Sequence, residues 1–127
     1  MRMITHIDHL VLTVQSLERT CSFYERVLGF ERKDKPGKPT ALSFGSCKIN
    51  VHEIDHTFEP KAHAPTPGSV DFCLITDESI EAVLDQLRSL GVPIEEGPIK
   101  RNGAQGEMMS LYFRDPDQNL VEVSHYL

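Results

Sequence analysis

Residues 7–30 read IDHLVLTVQSLERTCSFYERVLGF, and this stretch decides the fold. Its first eight residues are mostly apolar or β-branched over the length of one strand, which predicts a strand over 7–14. Beyond Ser16 the apolar residues recur at helical spacing, with Ser16 placed to cap the helix and Gly29 placed to end it. The first two elements are therefore expected to be a strand over 7–14 and a helix over 16–28.

The rest of the first half predicts three more strands, near 30–34, 40–45 and 47–54, separated by turn-forming combinations such as Pro36-Gly37. Residues 55–69 contain three prolines and little periodicity, so they are expected to form a surface connection. A strand is then predicted over 70–76, and with it the order of the first half returns.

The second half continues with a predicted helix that Asp77 caps and Gly91 ends, and with strands near 93–96, 108–114 and 119–125. A shift of 62 residues places His9 on Asp71. The simplest interpretation is an α+β fold of two βαβββ modules. A ferredoxin-like single sheet with two helices is the alternative, and it leaves some of the predicted strands as loops.

The composition limits the possible partners. The chain has 13 Lys and Arg against 19 Asp and Glu, a net charge of −6, which argues against nucleic acid as a partner. The one locally basic stretch, Lys33 to Lys38, is interpreted as a hairpin turn with solvated lysines.

Three cysteines without a C-x-x-C pair suit a reducing cytosol, and no apolar run reaches the length of a membrane span. A cytoplasmic protein that uses no membrane is expected.

Strand alternation places His9 on the face opposite to Leu10, Leu12 and Val14, which are expected to pack on the helix. Equivalent positions of the other strands carry polar or ionisable residues: Asn50, His52, Asp71 and Glu122. Imidazole with carboxylates is a mixed donor set that suits Zn, Mn, Ni or Fe(II), and a carboxylate there also serves as a general base. Taken singly, each residue also has a simpler interpretation as a hydrogen-bonded packing or salt-bridging group.

Two further residues are candidates for substrate contact. Arg101 is predicted in a Gly-containing loop over 100–106 that closes over a ligand and pairs with a carboxylate or phosphonate. Tyr112 supplies a phenolic donor, although alternation leaves open which face it occupies. Surface or packing roles are the alternative for both.

Three stretches resemble the vicinal oxygen chelate superfamily, also called the glyoxalase, bleomycin-resistance and dioxygenase superfamily. Residues 7–14 (IDHLVLTV) resemble its opening strand, 23–30 (FYERVLGF) its helix end, and 113–122 (FRDPDQNLVE) its closing turn and strand. Residues 48–53 and 71–76 resemble in particular the glyoxalase domain-containing protein 5 subfamily, which includes bacterial virulence-associated members.

The resemblance implies one glyoxalase-like domain over 1–127, in which the modules form a curved, cup-like mixed sheet around a divalent metal with the helices outside. Module one is expected over about 4–55, a linker over about 56–69, and module two over about 70–126. The implied metal ligands are His9, Asp71, Glu122 and one residue of the fourth strand, either His52 or Asn50. The resemblance also implies a homodimer.

The resulting functional expectation is a metal-dependent lyase or isomerase of the glyoxalase type that acts on a small oxygenated substrate, alone or conjugated to a thiol. The metal would be Zn, Ni, Mn or Fe, glutathione or another thiol is a candidate co-substrate, and Glu122 or Asp71 would carry the proton. Asp71 stands where many enzymes of the superfamily have His, which disfavours an extradiol dioxygenase unless His52 supplies the imidazole. The alternatives are a thiol transferase, a metal-free ligand-binding protein of the bleomycin-resistance type, and an interaction protein with a vestigial cup.

Overall fold

The computed structural model describes all residues, 1–127, and the chain divides into two compact units, Met1–Pro67 and Gly68–Leu127. Each unit runs strand, helix and three strands in chain order. This order confirms the predicted α+β fold of two βαβββ modules. Neither helix is long and apolar enough to cross a membrane.

Unit 1 consists of one helix on a four-stranded mixed sheet. Its elements are β1 (His9–Val14), α1 (Leu17–Leu28), β2 (Glu31–Lys33), β3 (Thr40–Phe44) and β4 (Cys47–Glu53). The sheet order is β1-β4-β3-β2, with β1 parallel to β4 and the other pairs antiparallel. The first and the last strand of the unit therefore lie side by side.

Unit 2 repeats this arrangement. Its elements are β5 (Asp71–Ile75), α2 (Ile80–Ser89), β6 (Glu96–Gly103), β7 (Gly106–Arg114) and β8 (Leu120–Tyr126). The sheet order is β5-β8-β7-β6, and β5 is parallel to β8. As in unit 1, the last strand pairs with the first one.

Helix α1 begins and ends as the sequence predicts. The Ser16 side chain accepts a hydrogen bond from the Arg19 amide at 3.2 Å, and Gly29 takes the left-handed conformation (φ 71°) that closes a helix C-terminus. The face of α1 that carries Cys21 and Tyr24 is fully buried, as are Leu12 and Val14 of β1. Leu12 and Val14, on the apolar face of β1, are therefore buried as predicted.

Helix α2 differs from the prediction at its start. Ser79, not Asp77, is the N-cap, and its hydroxyl accepts from the Ala82 amide at 3.2 Å. Asp77 lies two positions too early for its carboxylate to serve the free amides of the first turn, which begins at Ile80. Ser79 also has the extended backbone that an N-cap requires.

Strand β6 is the second departure, because it covers Glu96–Gly103 and not 93–96. Gly97 and Pro98 look like strand breakers in the sequence, but β6 is an edge strand, where proline is tolerated, and its register shifts between Glu96 and Ile99. Gly97 has φ +105°, and a Cβ there would lie 2.5 Å from the Ser110 carbonyl oxygen. The pairing therefore continues past a bulge that only glycine fits.

The turn at Asp115-Pro116-Asp117-Gln118-Asn119 is confirmed, and it is built from side-chain hydrogen bonds. One oxygen of Asp115 accepts from the amides of Asp117 (2.9 Å) and Asn119 (3.0 Å), and the other accepts from the Asn119 side chain at 2.9 Å. The Asn119 side-chain oxygen accepts from the Val70 amide, also at 2.9 Å. Asp115 and Asn119 are nearly completely buried, so this motif fixes the start of β5 and is structural.

Candidate functional site

The face of the unit 1 sheet that points away from α1 carries the residues predicted for a site. The parallel register pairs His9 with Lys48, Val11 with Asn50, and Thr13 with His52. Paired residues of neighbouring strands share a face, so these six side chains lie on one surface.

His9 is exposed and is oriented by its neighbour in the chain. Its Nδ1 lies 2.8 Å from an Asp8 carboxylate oxygen, and this hydrogen bond holds the pKa of Asp8 below its ordinary range. A proton on Nδ1 that is donated to Asp8 leaves the lone pair of the neutral ring on Nε2. Carboxylate-paired histidine is the usual state of a metal-ligating imidazole, so His9 fits a ligand role through Nε2.

His52 is in a different environment, because it is only 4% exposed although it faces away from α1. Its ring lies 5.4 Å from the Phe58 ring, between centroids, and its Nδ1 is buried without a hydrogen-bond partner. Burial, with a smaller contribution from the charge of Lys61, lowers the pKa of His52. The imidazole is therefore neutral at pH 7, as a ligand must be, but an aromatic ring packs against it.

The corresponding face of unit 2 carries the acidic candidates. The register pairs Asp71 with Leu120 and Cys73 with Glu122, while Glu122 lies directly opposite Tyr112 on β7. Asp71, Glu122 and Tyr112 therefore share one face of this sheet. The position of Tyr112, which alternation alone leaves open, is fixed by this pairing.

The two registers can be compared position by position. In unit 1 the first residue of β1, His9, pairs with Lys48, and in unit 2 the first residue of β5, Asp71, pairs with Leu120. Two residues further along the last strand of each unit stand Asn50 and Glu122. By this internal symmetry Asn50 is the counterpart of Glu122, and His52 is the counterpart of Ser124.

Glu122 belongs to a hydrogen-bonded network that sequence reasoning did not identify. Its carboxylate accepts from the Ser124 hydroxyl at 3.1 Å, and that hydroxyl lies 2.6 Å from the Ser110 hydroxyl and 3.2 Å from the Cys73 sulfur. Burial is the main cause that raises the pKa of Cys73, so the thiol stays protonated at pH 7. The available signal was the pair of serines within the last two strands, since Ser124 shares the face of Glu122 by alternation and Ser110 pairs with Ser124.

Arg101 and Tyr112 form a second contact on unit 2. The Arg101 Nε donates to the Tyr112 hydroxyl at 2.9 Å, and its guanidinium carbon lies 5.5 Å from the centre of the ring. A further Arg101 nitrogen is 3.3 Å from the Glu96 carboxylate. Burial, followed by the charge of Glu122, raises the pKa of Tyr112 more than Arg101 lowers it, so the phenol is a neutral donor.

The predicted loop around Arg101 is wrong, because Arg101 lies inside β6. Gly103 pairs with Gly106, so only Ala104 and Gln105 connect β6 to β7. A connection of two residues makes a tight hairpin, which leaves no lid to close over a ligand.

No group of three or more His, Cys, Asp or Glu side chains in either unit lies close enough to hold a metal ion. Each unit offers part of the predicted donor set: His9 with Asn50 or His52 in unit 1, and Asp71 with Glu122 in unit 2. Neutral imidazole with carboxylate oxygen is chemically suited to a divalent ion such as Mn(II), Zn(II) or Fe(II). The chemistry of these donors therefore fits a divalent metal ion.

Comparison with known proteins gives a consistent result. The model of the Glyoxalase/Bleomycin resistance protein/Dioxygenase superfamily matches residues 6–123. Virulence protein STM3117 of Salmonella typhimurium is 51% identical over 124 residues, which cover 98% of this chain and 86% of that protein. Its crystal structure superimposes with a TM-score of 0.96 at 50% identity, covering 99% of this chain and 100% of the other.

A second curated relative is the glyoxalase domain-containing protein RDO1 of Mycosarcoma maydis. It is 44% identical over 123 residues, which are 97% of this chain and 69% of that protein. The similarity thus extends across both units of the chain.

Proposed function

The chain belongs to the Glyoxalase/Bleomycin resistance protein/Dioxygenase superfamily, and on that premise we propose that it is a divalent-metal-dependent lyase or isomerase of the glyoxalase type. Its substrate is a small oxygenated molecule, with glutathione or another thiol as a candidate co-substrate. The superfamily includes glyoxalases, fosfomycin-resistance thiol transferases and dioxygenases, so the proposal selects one of its chemistries.

One observation carries this proposal: corresponding strand positions of the duplicated unit bear groups that can ligate a metal. His9 and Asp71 begin the first strand of each unit, and Asn50 and Glu122 occupy the same place in the last strand. Four such groups at four equivalent positions are more than strand packing requires, because packing on the helices uses the opposite face.

His9, Asp71 and Glu122 are the proposed metal ligands. The fourth-strand ligand is Asn50 or His52, and the register favours Asn50, whereas the buried and unpartnered Nδ1 favours His52. With Asn50 the set has one nitrogen and three oxygens, which suits a hard ion such as Mn(II). The relative FosX of Listeria monocytogenes has been solved with Mn(II) and sulfate.

The bound ion would supply Lewis-acid stabilisation of the negative charge that develops on the substrate oxygens. Glu122, whose carboxylate the Ser124 hydroxyl orients at 3.1 Å, takes a proton from the substrate carbon and returns it. Asp71 is the alternative proton carrier. Tyr112 is a neutral phenol held by Arg101, and it contributes a hydrogen bond to the substrate on the same face as Glu122.

A metal-free ligand-binding protein of the bleomycin-resistance type is the second candidate function. The observation that favours it is the weak set of metal donors. Asp71 stands where many enzymes of the superfamily have His, and the counterpart of the Glu122 carboxylate in unit 1 is the neutral amide of Asn50. An extradiol dioxygenase needs two imidazoles and a carboxylate as metal ligands. In this chain that chemistry would require His52 as the second imidazole.

We also propose a homodimer in the cytoplasm. The strands β1 and β5 are sheet edges, and they expose Val11 (42%) and Ile75 (55%); Ile7 (73%), which precedes β1, is exposed as well. Unpaired edges with apolar residues are the surfaces that a second copy would cover. Light scattering of the purified protein would measure the molecular mass and test this part.

The metal proposal is tested by elemental analysis after incubation with Mn(II), Zn(II), Ni(II) or Fe(II) and removal of the free ion. The wild type is expected to retain about one ion per chain, and His9→Ala and Glu122→Ala are expected to lose it. His63→Ala and Glu107→Ala are matched controls, since both residues are exposed and neither is a proposed ligand. A wild type that retains none of the four ions would overturn the lyase proposal in favour of the metal-free one.

A further variant, Glu122→Gln, tests the role of Glu122 separately from metal binding. Glu122→Gln keeps an oxygen donor but removes the base. It is expected to retain the ion and to lose exchange of the substrate C–H proton with deuterated solvent, measured with the hemithioacetal of glutathione and a small α-ketoaldehyde. Unchanged exchange would remove Glu122 from the proposed role and leave Asp71 as the base.

A further inference from the structure

An open cavity of about 410 Å³ lies on unit 1, and its lining is unusually basic. The charged and polar groups around it are Lys33, Lys35, Lys38, Lys48, Ser43 and Asn50. Cavities of this volume are in the range that takes small molecules. The basic stretch over residues 33–38, expected from the sequence to be a solvated turn, is therefore one wall of a cavity.

Strand pairing explains why these residues converge. Strand β3 lies between β2 and β4, and its Ala41 pairs with Lys33 on one side and with Asn50 on the other. Ser43 of β3 pairs with Lys48 of β4. The turn between β2 and β3 then adds Lys35 and Lys38, which are joined by a backbone hydrogen bond of 3.1 Å.

None of these lysines forms an ion pair within the protein, although the charge of Lys48 helps to lower the pKa of Asp8. None of the four ammonium groups lies within 4.0 Å of a carboxylate, and Glu31, opposite Ser43, pairs with none of them. The acid within the turn, Asp34, is held by Arg32 at 2.9 Å and by the Thr40 hydroxyl at 2.6 Å. Four lysines without an ion-pair partner line one cavity in a chain of net charge −6, so the local potential favours a bound anion.

We propose that this cavity binds the phosphate, phosphonate or sulfate group of a small molecule, and that this molecule is the substrate. Lysine ammonium groups suit such a compact, multiply charged anion as point charges, and the Ser43 hydroxyl adds a neutral hydrogen-bonding group. The overall negative charge disfavours a long polyanion such as nucleic acid, which needs basic groups over a wider surface.

The position of the cavity links the anion to the candidate site. Lys48 pairs in register with His9, and Asn50, which lines the cavity, occupies the fourth-strand position equivalent to Glu122. An anionic group held by the lysines would thus leave the rest of the molecule beside His9 and Asn50. The substrate assignment rests on the proposed function, whereas anion binding itself does not.

The test is an NMR titration of the full chain, without metal and at low ionic strength, with inorganic phosphate and with phosphoglycolate. Saturable shifts are expected within residues 33–50. Each lysine removed is expected to weaken binding about fivefold, the size of one charge interaction near 4 Å in water, so Lys38→Gln/Lys48→Gln loses about 25-fold. Lys100→Gln, on an exposed position of β6, is the matched control and is expected to bind like the wild type.

The outcomes separate the parts of the proposal. Absence of saturation with both probes, or equal weakening in Lys100→Gln, overturns the anion site. Inorganic phosphate that binds as tightly as phosphoglycolate overturns the substrate assignment and leaves a site for free phosphate. Phosphoglycolate that binds more tightly when Mn(II) is added, in the wild type but not in His9→Ala, supports the link to the metal. Phosphate binding in a protein that retains no metal overturns the proposed function and not the anion site.

Discussion

Replacing the buried imidazole of His52 with leucine is expected to stabilise the protein. Its Nδ1 has no hydrogen-bond partner, and a buried polar atom without one costs about 1–3 kcal/mol relative to a partnered or apolar group. Leucine has a similar volume and can pack against Phe58, so part of this cost is recovered. The expected gain for His52→Leu at pH 8 is about 1–2 kcal/mol in the free energy of unfolding.

The stability gained by His52→Leu should increase as the pH is lowered, because the pKa of His52 is lower in the folded chain than in the unfolded chain. Burial lowers the pKa of His52 in the folded state, so between that pKa and the ordinary value near 6.5 the unfolded chain binds more protons than the folded one. Stability of the wild type therefore falls as the pH drops below about 6.5, by up to about 1.4 kcal/mol per pH unit from this group. His52→Leu lacks this contribution.

Urea unfolding at pH 8.0, 6.5 and 5.5, followed by circular dichroism, measures both effects. His63→Leu is the control, because His63 is exposed and is expected to change stability by less than about 0.5 kcal/mol. A loss of more than about 1 kcal/mol in metal-free His52→Leu at pH 8 would refute the reasoning, since it would mean that the imidazole is satisfied in the folded protein. Metal retention by the same variant would identify Asn50, and loss of metal would identify His52, as the fourth-strand ligand.

Three further outcomes are expected. Asn119→Ala removes the acceptor of the Val70 amide and should lower the free energy of unfolding by about 2–4 kcal/mol, measured by urea denaturation. Gly97→Ala, which would place a Cβ 2.5 Å from the Ser110 carbonyl oxygen at φ +105°, should destabilise unit 2 by about 2 kcal/mol or more, seen as a lower melting temperature; an unchanged value would contradict the bulge geometry. Cys73 is exposed, but partial desolvation is the main cause that raises its pKa, so it should react with iodoacetamide more slowly at pH 7.5 than an unfolded peptide thiol does; a rate that matches the peptide would contradict this.

The parts of the fold that were predictable are those encoded by local pattern. Alternation in β1 separated His9 from Leu12 and Val14, and the cap and stop at Ser16 and Gly29 fixed α1. These features depend on neighbours within one strand or one turn, so the sequence shows them directly.

The remaining features depend on register between strands, which local pattern does not specify. The choice between Asn50 and His52 becomes definable only when β1 is paired with β4, and the serine network around Glu122 requires β7, β8 and β5 together. The prediction placed this strand near 93–96 and a loop over 100–106, whereas β6 runs from Glu96 to Gly103, because an edge strand with a bulge accommodates Gly97-Pro98. The lysine cavity is hidden for the same reason, since Lys48 joins Lys33 only through two strand pairings.

The strand order has a consequence for how the protein is made. In unit 2, β8 lies between β5 and β7, yet the ribosome produces it after both of them. Val70 and Asn119, which hold the start of β5, are 49 residues apart in the chain. Until β8 emerges, β5 has no partner strand in its sheet and β7 is paired only with β6, so completion of the sheet must wait for contacts of long sequence separation. A nascent chain stalled before residue 120 should therefore be open to proteolysis within unit 2 while unit 1, whose β4 ends at Glu53, is already protected.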